Sequence, residues 1–205
     1  MTSNSQVKLI SILMVDSIRL CGNTQTSLTD EANVPTFSKV PSSFTNAASM
    51  AALYFQDLEN QLKTISASGV PYIIVGSHFP VFSAADGGST QCLVDSLMPL
   101  LHKYKVSLYL SGHDHNLQHI SYTYLNSTVE YMVTGANVEN TVSTANINSI
   151  PANSLKFRWP TSPVDTLVGA FLQITASSSS MTVNFIKADP LSNSVLYTKV
   201  ISPRV

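Results

Sequence analysis

Two histidines separated by one residue, in Gly112-His113-Asp114-His115-Asn116, are the residues best suited to chemistry in this chain. Neutral imidazole is the commonest protein ligand for metal ions. The pentapeptide closes an apolar run, Val106-Ser107-Leu108-Tyr109-Leu110-Ser111, that reads as a buried strand. Side chains alternate along a strand with period two, so His113 and His115 point the same way if the backbone stays extended past Gly112. Gly112 lets the backbone turn close to whatever they hold. Surface and structural H-x-H pairs are common, so the tripeptide alone says little. A second strand end raises its weight. Upstream, Gly76-Ser77-His78-Phe79-Pro80 follows the apolar run Tyr72-Ile73-Ile74-Val75. Two strands ending in histidine, joined by a helix-like segment, would set three imidazoles along one edge of a parallel sheet. That edge is where open α/β sheets bind ligands.

The elements that would position these residues run β-α-β-α-β and then several β segments, the pattern of a mixed sheet with helices on one face. Residues 6–15 read as the first strand. A connector without period follows over 22–45, and Thr45 or Asn46 suits a helix cap. Tyr54, Leu58, Leu62 and Ile65 fall on one helical face that Gly69 ends. Strands follow over 70–76 and 106–111. Between them lie a small-residue loop, Ser83 to Thr90, and a helix over 91–104 that Pro99 should kink or break. His102 reads as a solvated helix residue. Ile120–Tyr124 and Val129–Thr134 read as a hairpin around Leu125-Asn126-Ser127. Residues 137–163 read as an irregular loop within the domain. Val168–Thr175, Met181–Lys187 and Val195–Ile201 read as further strands.

Composition narrows the function classes. The 205 residues suit one domain, and 44% are hydrophobic. Only 11% are charged and the net charge is −1, which gives no electrostatic case for a nucleic-acid partner. No apolar run approaches the roughly 20 residues of a membrane span. Lys8 followed by Leu9–Val15 resembles an export leader, but the run is short, β-branched and lacks a small-residue cleavage site, so it reads as a strand and not as a signal peptide. Cys21 and Cys92 are the two cysteines; the residues alone leave reduced thiols and a disulfide both open. Asn126-Ser127-Thr128 is a glycosylation sequon at the hairpin tip.

Several ordered motifs carry a resemblance. They are Gly76-Ser77-His78-Phe79-Pro80-Val81-Phe82-Ser83, Cys92 to Leu101, Tyr104-Lys105-Val106, and Tyr109-Leu110-Ser111-Gly112-His113-Asp114-His115-Asn116-Leu117-Gln118. With Met14 to Asn23 and the segments from Gly169 and Met181, they resemble the tartrate-resistant (type 5) purple acid phosphatases of the calcineurin-like metallophosphoesterase superfamily. The resemblance implies an α/β (α+β sandwich) fold, with two mixed β-sheets flanked by helices in four αββα layers. Residues 1–205 would be a partial domain, the C-terminal half. It implies His78 and His113 as ligands of a divalent metal, and His115 as a ligand of the ferric ion, in a centre of Fe(III) with Fe(II) or Zn(II). It implies a Cys21–Cys92 disulfide in a secreted or lysosomal glycoprotein.

The implied activity is acid phosphatase: a metal-activated water hydrolyses phosphomonoesters, on small molecules or proteins. Three departures bear on it. The family's N-terminal ligands, including the bridging aspartate, are absent, so the chain alone is expected to be inactive and to need its missing N-terminal half. Gly87 falls where the family has a catalytic histidine, which leaves Asp86 as the nearest replacement proton donor. Ser77 and Asn137 stand where the family has glycines. The alternative is a truncated, non-catalytic fragment with a residual histidine edge.

Overall fold

The computed structural model describes residues 8–21, 47–137, 139–189 and 192–204. The connector over 22–45, the cap at Thr45 or Asn46 and the start of the first strand lie outside them. The larger sheet contains β1 (Ile10–Met14), β2 (Tyr72–Gly76), β3 (Leu108–Ser111), β4 (Leu117–Tyr124), β5 (Ser127–Thr134) and β6 (Leu155–Trp159) in the order β1-β2-β3-β5-β4-β6. β1, β2, β3 and β5 are mutually parallel, while β4 runs antiparallel to β5 and β6. The smaller sheet is β7 (Gly169–Ala176), β8 (Met181–Ala188) and β9 (Ser194–Ile201), antiparallel in both pairings. Its connections are too short for a parallel crossover, so only the larger sheet is mixed.

Period two divides β2 between two cores. Ile73 and Val75 pack with helical residues: Leu58 and Leu62 of α2 (Ala47–Ala67), Leu93 of α3 (Gln91–Asp95), and Leu97 and Leu101 of α4 (Leu97–Lys103). Tyr72 and Ile74 face the other way, onto Ala170, Met181, Val183, Phe185 and Ile201 of the smaller sheet. Burial on both faces is why this strand is an unbroken apolar run. The layers are therefore helices, larger sheet, smaller sheet. No helix among the described residues is long and apolar enough to cross a membrane.

Local chemistry sets the element ends. Asp16 caps a one-turn helix, Ser17–Leu20, by accepting from the amides of Ile18 and Arg19, each at 3.1 Å. Cys21 follows and is bonded to Cys92 of α3, with Cα atoms 5.7 Å apart. Gly69 takes φ +71° beyond the end of α2, where a left-handed residue costs glycine least. The helical stretch over 91–104 breaks at Ser96, three residues before Pro99. Pro99 has no N–H to donate to the carbonyl of Asp95, so the ladder stops and restarts with proline in the first turn of α4.

Two expectations are corrected. His102 is not solvated; it is 1% exposed. Its Nδ1 donates to the Ser127 carbonyl at 2.9 Å, and its Nε2 accepts from the Tyr131 hydroxyl at 2.9 Å. Both ring nitrogens are thus satisfied in the neutral form, and burial pulls the imidazole below its ordinary value. The 137–163 stretch is not wholly irregular, because it contains β6, on the outer edge of the larger sheet beyond β4.

Candidate functional site

The ladder between β2 and β3 continues past both strand ends. Ser77 N donates to Leu110 O, and Gly112 N donates to His78 O, each at 3.0 Å. This brings His78 beside His113: Nε2 of the first lies 3.4 Å from Nδ1 of the second. Phe79 underlies both rings, with centroids 4.8 and 4.5 Å away.

The backbone does not stay extended past Gly112. Asp114 N donates to Gly112 O at 2.9 Å, and Asn116 N to Asp114 O at 2.8 Å, two successive three-residue turns. The first is centred on His113 at φ +67°. A γ-turn with positive φ is rare and strained, and such strain persists only where the surroundings enforce it. His115 is consequently set by different neighbours. Its Nδ1 donates to the Glu139 carbonyl at 3.1 Å, which leaves Nε2 with its lone pair. Its own carbonyl accepts from Thr141 N at 2.8 Å. All three histidines are exposed to solvent. Burial first, and then the neighbouring imidazoles, hold the His113 ring below its ordinary value against the opposing charge of Asp114.

Beneath the turn lies a polar network that the sequence reading missed. Asp114 is 5% exposed and commits both oxygens: Oδ1 accepts from Gly87 N at 2.8 Å and Oδ2 from the Ser83 hydroxyl. Gln118 donates to Ser83 Oγ at 2.7 Å and to Asn116 Oδ1 at 3.0 Å, and accepts from Ala84 N at 2.9 Å. A signal was available, since Gln118 and His119 are polar residues between Leu117 and Ile120 in what reads as a strand. The loop over 137–163 is fastened to the same place. Asn146 donates from its backbone to Ala84 O at 3.0 Å and from its side chain to Ala85 O at 2.6 Å. Thr141 donates its hydroxyl to Asp86 Oδ2 at 2.9 Å, so the Asp86 carboxylate sits exposed at the loop surface with one partner.

Gly87 lies against the turn. A Cβ built there would stand 2.7 Å from Asp114 Oδ1 and 2.9 Å from His113 Cδ2. Gly135 is tighter still, with a Cβ only 2.1 Å from the Asp114 carbonyl oxygen.

A dinuclear centre asks for several ligands on each ion and a group that bridges them. Among the described residues, no three His, Cys, Asp or Glu side chains gather closely enough to hold one ion. Asp114 is engaged by Ser83 and Gly87. These residues fit two ligands of a single ion and do not by themselves fit a metal pair.

No family model matches the chain. Known proteins do. Human tartrate-resistant acid phosphatase type 5 is 35% identical over 179 residues, covering 87% of this chain and 49% of that protein. The chain thus spans about half the length of the curated relatives it matches. Among solved structures, GAP50, the anchor in the inner membrane complex of Plasmodium, is similar with TM-score 0.64 and 18% identity, over 96% of this chain and 50% of that one. Purple acid phosphatase PPD1 from yellow lupin seeds has TM-score 0.52 and 18% identity, over 73% of this chain and 28% of that one. These two likenesses concern the fold, which is that of the metallophosphoesterases. In sequence and in fold the chain closely resembles the tartrate-resistant purple acid phosphatases, over about half of their length.

Proposed function

We propose that this chain is the C-terminal half of a purple acid phosphatase, a single partial metallophosphoesterase domain, in a protein that hydrolyses phosphomonoesters at acid pH. The observation that carries the reading is the His78–His113 pair, with facing ring nitrogens 3.4 Å apart at adjacent strand ends. Two nitrogens on one tetrahedral ion, each about 2.0–2.1 Å from it, stand roughly 3.4 Å apart. The rings are therefore spaced as ligands of one divalent metal. His115 is a candidate ligand of a second, since its Nδ1–H is already given to Glu139 O.

The resemblance to that family implies a dinuclear centre, which when bound supplies an activated water and charge stabilisation for phosphate oxygens. The chain's own residues would orient that chemistry. Asp114 and Gln118 hold the loop over 83–88 against the histidine turn. Asp86 is the exposed acid of that loop and the candidate donor to the leaving alkoxide. The remaining ligands, the bridging one included, would come from a segment outside these 205 residues. A secreted or lysosomal setting agrees with the Cys21–Cys92 disulfide. Asn126, exposed at the tip of a two-residue hairpin turn with φ +58°, would then be glycosylated. An Asn126→Gln form that is secreted and migrates with the untreated wild-type protein would exclude that.

A second reading, a non-catalytic module, is favoured by Gly87. The family histidine cannot be restored there unless Asp114 and His113 move. Metal content and p-nitrophenyl phosphate hydrolysis near pH 5 separate the two readings. The 205-residue chain should bind at most one divalent ion and show no turnover. A longer protein carrying it should turn over, with loss of activity on His113→Ala. A longer protein that binds no metal and stays silent would establish the second reading.

A further inference from the structure

The interface between the two sheets is largely apolar, and it holds one buried, mutually bonded group of polar side chains among the described residues. His119 of β4 is 0% exposed and Glu130 of β5 is 6% exposed. Register pairs His119 with Met132, so Glu130 is its diagonal neighbour on the same face. His119 Nε2 donates to Glu130 Oε2 at 2.6 Å. The other two members come from β9, in the smaller sheet. Lys199 Nζ lies 2.9 Å from Glu130 Oε1, and the Tyr197 hydroxyl lies 3.0 Å from His119 Nδ1. Tyr197 and Lys199 are two residues apart, so both project from one face of β9. Each group of the larger sheet thus grips one residue of the smaller.

Aromatic rings pack around the group. Phe157 stacks on Tyr197, with centroids 4.7 Å apart and planes within 5°. Phe185 meets Phe157 and Tyr197 edge-on at 5.1 and 5.5 Å. Ser121, beside Glu130 in register, adds a hydroxyl to the carboxylate. No other charged group is seen to contact the carboxylate among the described residues.

We propose that His119, Glu130, Tyr197 and Lys199 form a clasp that holds the two sheets together through the acid range. A buried carboxylate is tolerated only when its partners offset the lost hydration. Here burial pushes the Glu130 carboxyl up, but the bonds from His119 and Lys199 outweigh it and hold it down at about 2. An unfolded glutamate titrates near 4.3. The clasp's contribution is therefore complete above about pH 4.3 and fades as pH falls toward 2. The Tyr197 hydroxyl can bond to Nδ1 of His119 in either role. It donates to a neutral Nδ1 and accepts from a protonated one. Burial also pushes the Tyr197 phenol up, so it keeps its hydrogen. The clasp stands whether or not the chain hydrolyses phosphate.

Thermal melts from pH 7 to pH 2.5 test it on the wild type, Glu130→Gln and Lys199→Met. Breaking one side of a buried pair should lower the melting temperature of Glu130→Gln by on the order of 10 °C at pH 6. The gap should narrow as pH falls from about 4.3 toward 2.5, because the unfolded wild-type chain takes up the proton there and the folded one does not. Lys199→Met removes a partly exposed cation and should fold; its acid loss of stability should begin near the same pH as in the wild type but be smaller and level off at higher pH, so that its acid midpoint lies higher. That variant decides the matter alone if Glu130→Gln does not fold. A constant gap at every pH, or one acid midpoint shared by wild type and Lys199→Met, would overturn the clasp.

Discussion

Gly135 and Gly112 flank the same turn under different constraints. A Cβ at Gly135 would meet the Asp114 carbonyl oxygen at 2.1 Å, and backbone cannot swing aside as a flexible side chain can. A Cβ at Gly112 would only touch His78 O at 3.9 Å, ordinary contact. Overpacking of this kind costs about 1–3 kcal/mol or more. Gly135→Ala should therefore lower the melting temperature by roughly 5–10 °C, and Gly112→Ala by no more than about 2 °C. Differential scanning calorimetry of the two proteins checks this. Equal effects would mean that close approach at Gly135 does not hold the histidine turn. The same turn explains the unusual backbone at His113, because its neighbours on both sides are fixed by Asp114.

Elements were more legible in the sequence than the joints between them. The unbroken run Tyr72–Val75 and the helical face of Leu58 and Leu62 report burial directly, and both appear where periodicity puts them. The histidine edge was legible for the same reason, since His78 and His113 simply follow two such strands. What period two could not convey was the γ-turn at His113, which long-range contacts to Asp114 impose. Leu155-Lys156-Phe157-Arg158-Trp159 alternates as a strand should, but it was hidden among proline, asparagine and serine. His102 looked solvated because its partners, Ser127 O and Tyr131, lie far along the chain. The disulfide is a joint of this kind: it ties the end of the helix over Ser17–Leu20 to α3 across a separation of 71 residues. Chain-entropy arithmetic gives such a link about 4 kcal/mol. Reduction should then lower the melting temperature by roughly 10 °C, matched by a Cys21→Ser, Cys92→Ser double variant. A reduced protein that melts with the oxidised one would mean that the unfolded chain gains nothing from release of the loop.

At the scale of the whole molecule, the larger sheet ends on one bare side. β1 pairs with β2 alone, which leaves its outer row of backbone donors and acceptors without a strand among the described residues. Its sequence, Ile10-Ser11-Ile12-Leu13-Met14, carries no charge. The smaller sheet covers Tyr72, Ile74 and Leu108 and reaches Ile10 at the start of β1, but it leaves Ile12 65% and Met14 70% exposed. Native edge strands are usually guarded by charge, proline or a covering element, because an uncharged apolar edge templates pairing with another chain. The 205-residue chain on its own should therefore self-associate at micromolar concentration. An Ile12→Lys, Met14→Lys variant should be monomeric, and its melting temperature should hold within about 2 °C, because surface substitutions of exposed residues change stability little. Size-exclusion chromatography with light scattering reads the result. A wild-type chain that elutes as a monomer with a cooperative melt would show that β1 is guarded by something other than the sheet it belongs to. Association that persists in the lysine variant would place the contact elsewhere, with the exposed Val164 and Leu167 the next surface to change.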